Sequence, residues 1–215
     1  RAAKHILEAT AAADPPEDPP GVFDKLFGFI PEFFIKQDSK KFRTLMARIR
    51  KYEEITDRME MEIANYLAKA SQGELSVTAS IKVRSMISMI NDMERIGDIC
   101  YQMSISVERK DEQKAQFMDE PTASLEEMID EVKKALQIMN NNLITNYSQV
   151  ILTEADEVEI VINKLRNKLR KKYLEKIEKG EVKIETAMIY NNLIHSLEKV
   201  GDHVFNISEA IVGDK

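Results

Sequence analysis

Cysteine, tryptophan, glycine and proline are all scarce in this chain. Its 215 residues include one cysteine, Cys100, no tryptophan, seven glycines and six prolines. A single cysteine excludes an internal disulfide framework and is typical of a protein in a reducing compartment. The scarcity of turn-forming residues, with 32% of the residues charged, favours long helices over a fold rich in strands. We therefore expect an all-α protein.

The chain also lacks an excess of positive charge and a long apolar run. Its 31 Lys and Arg residues against 37 Asp and Glu residues give a formal net charge of −6, so we expect no nucleic-acid partner. The most apolar stretch, Val22 to Ile35, is interrupted by charges and a proline and is shorter than the roughly 20 apolar residues that span a bilayer. Residues 1–5 have no apolar run of the kind that a signal peptide needs, so we expect no signal peptide. Because the first residue is Arg1, we expect a piece of a longer protein.

Prolines divide the chain into segments. Four prolines between Pro15 and Pro20 form a stiff spacer that no helix can cross, and Pro121 marks a second break. We expect an N-terminal segment over residues 1–37, a first repeat over residues 38–118 and a second repeat over residues 119–215.

Capping residues and terminal glycines predict five long helices. Their approximate spans are Asp38 or Ser39 to Ala70, Ser76 to Arg109, Ser124 to Ile144, Gln149 to Lys179, and Ile184 to Val212. Ser124 and Glu127 are expected to form a capping box at the start of the third helix. A sixth helix would come from Arg1–Ala13 or from the Phe-rich segment Phe23–Phe34.

An internal repeat is the strongest pattern in the sequence. Met93–Ser104 matches Leu197–Ser208 in the order of its Glu, basic, aliphatic, Gly, Asp and Ser residues, at an offset of 197 − 93 = 104. Upstream, Glu53–Met59 matches Glu159–Leu165 at an offset of 159 − 53 = 106. Two offsets this close indicate a duplicated hairpin of two long helices. With a third helix in each copy, the expected fold is two tandem three-helix bundles after an N-terminal extension.

Each copy of the repeat carries two pairs of oxygen-bearing side chains spaced four residues apart. The pairs are Glu53 and Asp57, Glu94 and Asp98, Glu159 and Asn163, and Glu198 and Asp202. Residues four apart share a helix face, where like charges repel by about 0.2–0.5 kcal/mol per pair. The two pairs of each predicted hairpin are equally far from its turn, at Gly73–Ser76 or Gly180–Glu181, and so lie at the same height. A cation held between them would turn repulsion into binding, provided that the pairs converge on one side of the hairpin rather than on its two outer sides.

Two glycines lie inside predicted helices, between the Glu and the Asp of a motif. A helical glycine costs about 1 kcal/mol relative to alanine, yet both Gly97 and Gly201 are present. We expect either a close approach of the neighbouring helix or room for a bulky ion cluster.

The segment from Glu198 to Glu209 resembles the signature of the PhoU family, in which E/D-x-x-x-D motifs repeat on tandem three-helix bundles. The resemblance extends from about residue 38 to residue 212. It implies a regulator of phosphate uptake that binds multinuclear iron or zinc clusters, or other divalent metals, on the bundle surface. The implied ligands are Glu53, Asp57, Glu94, Asp98, Glu159, Asn163, Glu198 and Asp202. Asn163 stands where the motif has an Asp, so the second site has one negative charge fewer. Ile99 in the first copy stands where the second copy has His203.

Bacterial sodium-dependent phosphate cotransporters are similar in that a PhoU-like cytoplasmic domain follows their membrane domain. The proline spacer and the absence of a first Met favour this interpretation. The chain would then lie at the inner face of the cell membrane, contact the membrane domain of its own polypeptide and regulate sodium-coupled phosphate transport. The first alternative is a stand-alone cytoplasmic PhoU-type regulator that contacts a phosphate-transport or signalling protein, and in either case a homodimer stays open. The second alternative is a metal-free helical module whose acidic side chains bind a basic partner.

Motifs of catalysis are absent from the sequence. No histidine follows a glutamate by three residues, as a ferritin-like di-iron oxidase requires. A zinc-protease motif, a P-loop and a nucleophile elbow are also missing. We therefore predict that the protein is not an enzyme, and we expect His195, His203 and Cys100 to have structural rather than ligand roles.

Overall fold

Five long helices follow one another in the residues that the computed structural model describes, which are 39–73, 75–112 and 119–213. They are α1 (Ser39–Ala70), α2 (Val77–Glu112), α3 (Asp119–Ile144), α4 (Thr153–Glu178) and α5 (Ile184–Val212), with a 3₁₀ turn at Tyr147–Gln149 before α4. No strand occurs in these ranges, which confirms the all-α prediction. The expected sixth helix, and with it the third helix of the first bundle, falls outside the described residues.

Most of the predicted helix ends are confirmed because local chemistry sets them. The hydroxyl of Ser76 accepts a hydrogen bond from the backbone N–H of Ala79, at 3.2 Å, and so caps the start of α2. Gly213 ends α5 with a left-handed φ of 70°, a conformation that glycine adopts without strain.

The start of α3 was predicted wrongly. The helix begins at Asp119 rather than at Ser124, so Ser124 lies within it and forms no capping box with Glu127. Pro121 is tolerated because it falls in the first turn, where a backbone N–H would have no acceptor within the helix.

The start of α4 was also predicted too early. Residues Tyr147–Gln149 form a separate 3₁₀ turn, in which the Asn146 side chain accepts a hydrogen bond from the N–H of Ser148. The long helix therefore begins only at Thr153.

Helix α5 lies at the centre of the described structure. It packs against α2, α3 and α4, while α1 packs on α2. Leu193, Leu197 and Val200 of α5 are fully buried, and Tyr190 stacks on Tyr173 of α4 with ring centroids 4.0 Å apart. Buried side chains of all five helices form one apolar core. The second helices of the two hairpins, α2 and α5, therefore pack on each other, and each has its hairpin partner, α1 or α4, beside it.

None of the helices in the described ranges combines the length and the apolar character that crossing a membrane requires.

Candidate metal centre

Gly97 of α2 and Gly201 of α5 mark equivalent close approaches in the two hairpins. A β-carbon built on Gly97 would overlap the Oγ1 atom of Thr56 in α1, and one built on Gly201 would lie 3.0 Å from the Cδ1 atom of Ile162 in α4. Thr56 and Ile162 are separated by 162 − 56 = 106 residues, the offset that also relates the acidic motifs. Helix contact therefore accounts for both glycines, and residues at equivalent positions of the two repeats make the contact in each hairpin.

Substituting Gly97 tests this close approach. We expect Gly97→Ala to lower the free energy of unfolding by about 1–2 kcal/mol, because overpacking against Thr56 outweighs the gain in helix propensity. The hydroxyl of Thr56 is held in place by donating a hydrogen bond of 2.8 Å to the carbonyl of Glu53. Chemical denaturation should show that Thr56→Ala partly rescues Gly97→Ala. Additive losses in the double variant would contradict the contact.

The first hairpin brings three carboxylates together. Glu53 and Asp57 of α1 and Asp98 of α2 each offer an oxygen, and these oxygens all lie within 4.8 Å of one another. We call these three residues the first acidic cluster. The motif-bearing flanks of α1 and α2 thus converge on one side, an arrangement that the sequence left open. Ligand oxygens around a divalent cation at about 2.0–2.6 Å lie at most about 5 Å apart, so the spacing suits a shared ion.

The electrostatics of the first acidic cluster are unbalanced. Burial, followed by the neighbouring Asp57 and Asp98 carboxylates, raises the pKa of Glu53 above its ordinary value. The Oδ1 atom of Asp57 is buried and accepts no hydrogen bond from the described residues. A buried acceptor without a donor is unfavourable, and a cation would satisfy it. The all-oxygen donor set and this buried oxygen therefore fit a metal ion.

Glu94, the fourth predicted ligand of the first repeat, borders the cluster without belonging to the convergent group of three. Burial and the adjacent Asp98 raise its pKa. Arg95 lies between the two acids, with guanidinium nitrogens 3.7 Å from Glu94 and 3.6 Å from Asp98. Glu60, which the sequence argument missed, adds to the negative charge near Glu94.

The pH dependence of stability follows from the raised pKa of Glu53. A carboxyl whose pKa is higher in the folded state stabilises the fold at low pH, and this contribution is lost as the pH rises through the raised value. With a chelator present, we expect Glu53→Gln to have a higher Tm than the unsubstituted protein at neutral pH. The difference should shrink as the pH falls towards the ordinary carboxyl value of 4.5. A difference that grows on acidification would contradict the assignment.

The second hairpin arranges the equivalent residues differently. We call Glu159, Asn163, Glu198 and Asp202 the second motif set. The amide nitrogen of Asn163 donates to Glu159, and Lys199 donates to Asp202 at 2.7 Å. Within the described ranges the three acids of this set, Glu159, Glu198 and Asp202, do not form a group of convergent ligands.

Arg166, another residue that the sequence argument missed, enters the second motif set from α4. Its Nη2 atom donates to Glu198 at 3.1 Å and lies 3.5 Å from the amide oxygen of Asn163. The histidines also have protein neighbours: the Nδ1 atom of His195 lies 3.3 Å from Glu198, and His203 bonds Asp92 of α2 at 2.7 Å.

Comparisons with known proteins agree with this architecture. The family model of the PhoU domain matches residues 32–107 and 123–211, which together form most of the chain. The chain belongs to the PhoU domain family. The two matched segments contain the two hairpins that carry the acidic motifs.

Relatives of this PhoU-domain chain include a named protein and a solved structure. The phosphate-specific transport system accessory protein PhoU homolog 1 of Thermotoga maritima is 26% identical over 175 residues, which cover 79% of this chain and 72% of that protein. The crystal structure of the phosphate transport system regulatory protein PhoU from Streptococcus pneumoniae matches with a TM-score of 0.70 and 19% identity, over 97% of this chain and 92% of that one. The second likeness confirms the PhoU-like all-helical fold, and the assignment of the eight motif residues as ligands stays a prediction.

Proposed function

We propose that this chain is a PhoU-type regulator of phosphate transport and that its first acidic cluster binds a metal ion. The observation that supports the metal site best is the convergence of Glu53 and Asp57 from α1 with Asp98 from α2. Support for the phosphate role comes from the family match and from the names of the two relatives, an accessory protein and a regulatory protein of phosphate transport systems. The proposal includes no catalytic step.

The metal would connect the two helices of the first hairpin. α1 would supply Glu53 and Asp57 from one face, and α2 would supply Asp98 from the facing helix. When bound, the ion supplies the positive charge that offsets the repulsion among the three carboxylates. Asp98 has a side chain that is 37% exposed, so the site is open on one side to water or to an oxyanion. Iron and zinc are the metals we propose first, with other divalent ions as alternatives.

This function fits either a stand-alone protein or one domain of a larger transporter. The relatives are named as accessory and regulatory proteins, which favours a stand-alone cytoplasmic regulator that contacts a transport or signalling protein. The proline spacer before the bundles favours the second candidate, a cytoplasmic domain attached to a sodium-dependent phosphate cotransporter. Sequencing the gene upstream of the codon for Arg1 decides between them. Several apolar segments of about 20 residues would support the cotransporter, and their absence from the full reading frame would reject it.

Phosphate uptake by cells tests the regulatory role. We expect deletion of the gene to change the dependence of uptake on external phosphate, and the intact gene to restore it. A gene with Asp57→Asn and Asp98→Asn should fail to restore regulation at equal protein abundance, whereas one with Glu54→Gln should succeed. Glu54 is an exposed neighbour that lies 3.6 Å from Arg50 and outside the convergent group of three carboxylates.

Two outcomes would contradict this proposal separately. Unchanged uptake after deletion would reject the phosphate role. Full restoration by the Asp57→Asn, Asp98→Asn variant would leave the phosphate role in place and reject a regulatory role for the metal site.

A further inference from the structure

Positions Glu60 and Arg166 are equivalent in the two repeats but opposite in charge. They are separated by 166 − 60 = 106 residues, the offset that also relates Thr56 to Ile162 at the glycine contacts. The basic residue between the motif acids of the following helix, in contrast, is kept: Arg95 and Lys199 are separated by 199 − 95 = 104 residues. At the position shared by Glu60 and Arg166, the second hairpin therefore has a cation where the first has an anion.

Arg166 holds the most deeply buried acid of the second motif set. The side chain of Glu198 is 6% exposed and that of Arg166 is 29% exposed, and their charged atoms are 3.1 Å apart. A hydrogen bond between a guanidinium and a carboxylate at this distance is charge-assisted and strong. The other oxygen of Glu198 faces Nδ1 of His195 at 3.3 Å and Nζ of Lys199 at 3.8 Å. Within the described residues, three cationic or basic side chains, Arg166, His195 and Lys199, thus face this carboxylate.

The other members of the second motif set each have a partner within the protein. Glu159 accepts from the amide of Asn163, the amide oxygen of Asn163 faces Arg166, and Asp202 accepts from Lys199. One buried oxygen in each hairpin has no hydrogen-bond partner within the described residues, Oδ1 of Asp57 in the first and Oε2 of Glu198 in the second. The two differ in their charged neighbours, because Oε2 of Glu198 faces nitrogens of His195 and Lys199, whereas Asp57 lies among the carboxylates of Glu53 and Asp98. A metal ion in the second hairpin would have to displace a guanidinium from a buried carboxylate and would be repelled by that guanidinium.

We propose that Arg166 replaces the metal ion in the second hairpin. The guanidinium connects α4 to α5 permanently, in the way that a metal ion would connect α1 to α2, and the chain carries a metal centre in its first hairpin alone. Metal availability then alters the first hairpin and leaves the second unchanged. The single-centre part of this inference rests on the proposed metal site of the first hairpin, whereas the closing of the second hairpin by Arg166 does not.

The inference is tested by measuring the metal content of a variant in which the positive charge at position 166 is replaced by a negative one. Arg166→Glu combined with Asn163→Asp gives the second hairpin the acids of the first. Each protein is loaded with Zn²⁺ or Mn²⁺, freed of excess metal by gel filtration and measured by elemental analysis. We expect the double variant to hold about twice the metal of the unsubstituted protein. Asp57→Asn with Asp98→Asn should hold almost none, and the reciprocal Glu60→Arg should reduce loading of the first hairpin.

The outcomes separate this inference from the proposed function. If the unsubstituted protein binds no metal but Arg166→Glu with Asn163→Asp gains it, the proposed metal site fails and the role of Arg166 stands. If metal persists in Asp57→Asn with Asp98→Asn and is removed by Glu159→Gln with Asp202→Asn, the second hairpin is a metal site and the inference is overturned. The inference is also overturned if the Arg166→Glu, Asn163→Asp variant folds but binds no more metal than the unsubstituted protein.

A measurement without metal covers the case in which that variant does not fold. In the presence of a chelator, we expect Arg166→Met to lower Tm by about 5 °C or more, because Glu198 is left buried without its counter-ion. Arg170→Met, on the exposed face of the same helix, is the matched control and should change Tm by less than about 2 °C. Equal effects of the two substitutions would contradict the role of Arg166 as an internal cation.

Discussion

Asp57→Asn combined with Asp98→Asn is expected to abolish the rise in Tm that metal ions give the unsubstituted protein. An ion present at one hundred times its Kd stabilises a folded protein by about 2.7 kcal/mol, provided that it does not bind the unfolded chain. For a chain of this size that corresponds to a Tm increase of about 5–10 °C. The two substitutions keep the shape of the side chains but remove one carboxylate from each helix of the first acidic cluster.

The same double variant is expected to be more stable than the unsubstituted protein when a chelator is present. The carboxylates of Glu53, Asp57 and Asp98 lie close enough to repel one another, and without metal we expect this repulsion to outweigh the exposed ion pair of Asp98 with Arg95. Differential scanning fluorimetry with and without metal measures both effects. Glu54→Gln, which removes a charge beside the cluster, should behave as the unsubstituted protein does. An equal metal-dependent shift in all three proteins would contradict the site.

Leu197→Ala is expected to cost about 2–5 kcal/mol of stability, since it leaves a cavity in the core. Leu197 lies at 0% exposure in α5, the helix that packs against α2, α3 and α4. Its loss weakens the contacts between both halves of the described structure. We therefore expect one cooperative unfolding transition at lower denaturant concentration, with an unchanged slope.

Leu174→Ala is the matched control for this core substitution. Leu174 lies on α4 with 46% of its surface exposed, so removing its side chain should cost less than about 1 kcal/mol. Urea denaturation of the two variants compares the same chemical change at a buried and an exposed position. Similar losses would show that α5 is not the centre of the core.

The sequence was sufficient to predict the helices because local residues set most of their ends. Ser76 caps α2 and Gly213 ends α5, and both act through their own backbone neighbours. The prediction failed at Pro121, where proline was taken as a break although the first turn of a helix tolerates it. The limits of the two repeats at residues 38–118 and 119–215 stay a prediction.

The candidate site could be predicted only in part. Spacing placed the acids of α1 and α2 at one height, but their convergence depends on how far each helix is rotated, which the contact between Thr56 and Gly97 sets in three dimensions. The pair of Arg166 and Glu198 joins two helices and cannot be found from spacing within one of them. Comparing the two repeats at every position would have singled out Arg166, because the equivalent residue of the first repeat, Glu60, has the opposite charge.

Anomalous X-ray diffraction from crystals of this chain soaked in Mn²⁺ or Zn²⁺ tests the central claim most directly. The account predicts an anomalous peak within coordination distance of the carboxylates of Glu53, Asp57 and Asp98, between α1 and α2. It predicts no peak beside Arg166 and Glu198. A saturating soak that leaves the first acidic cluster without a peak, or that places the metal in the second hairpin, would contradict it.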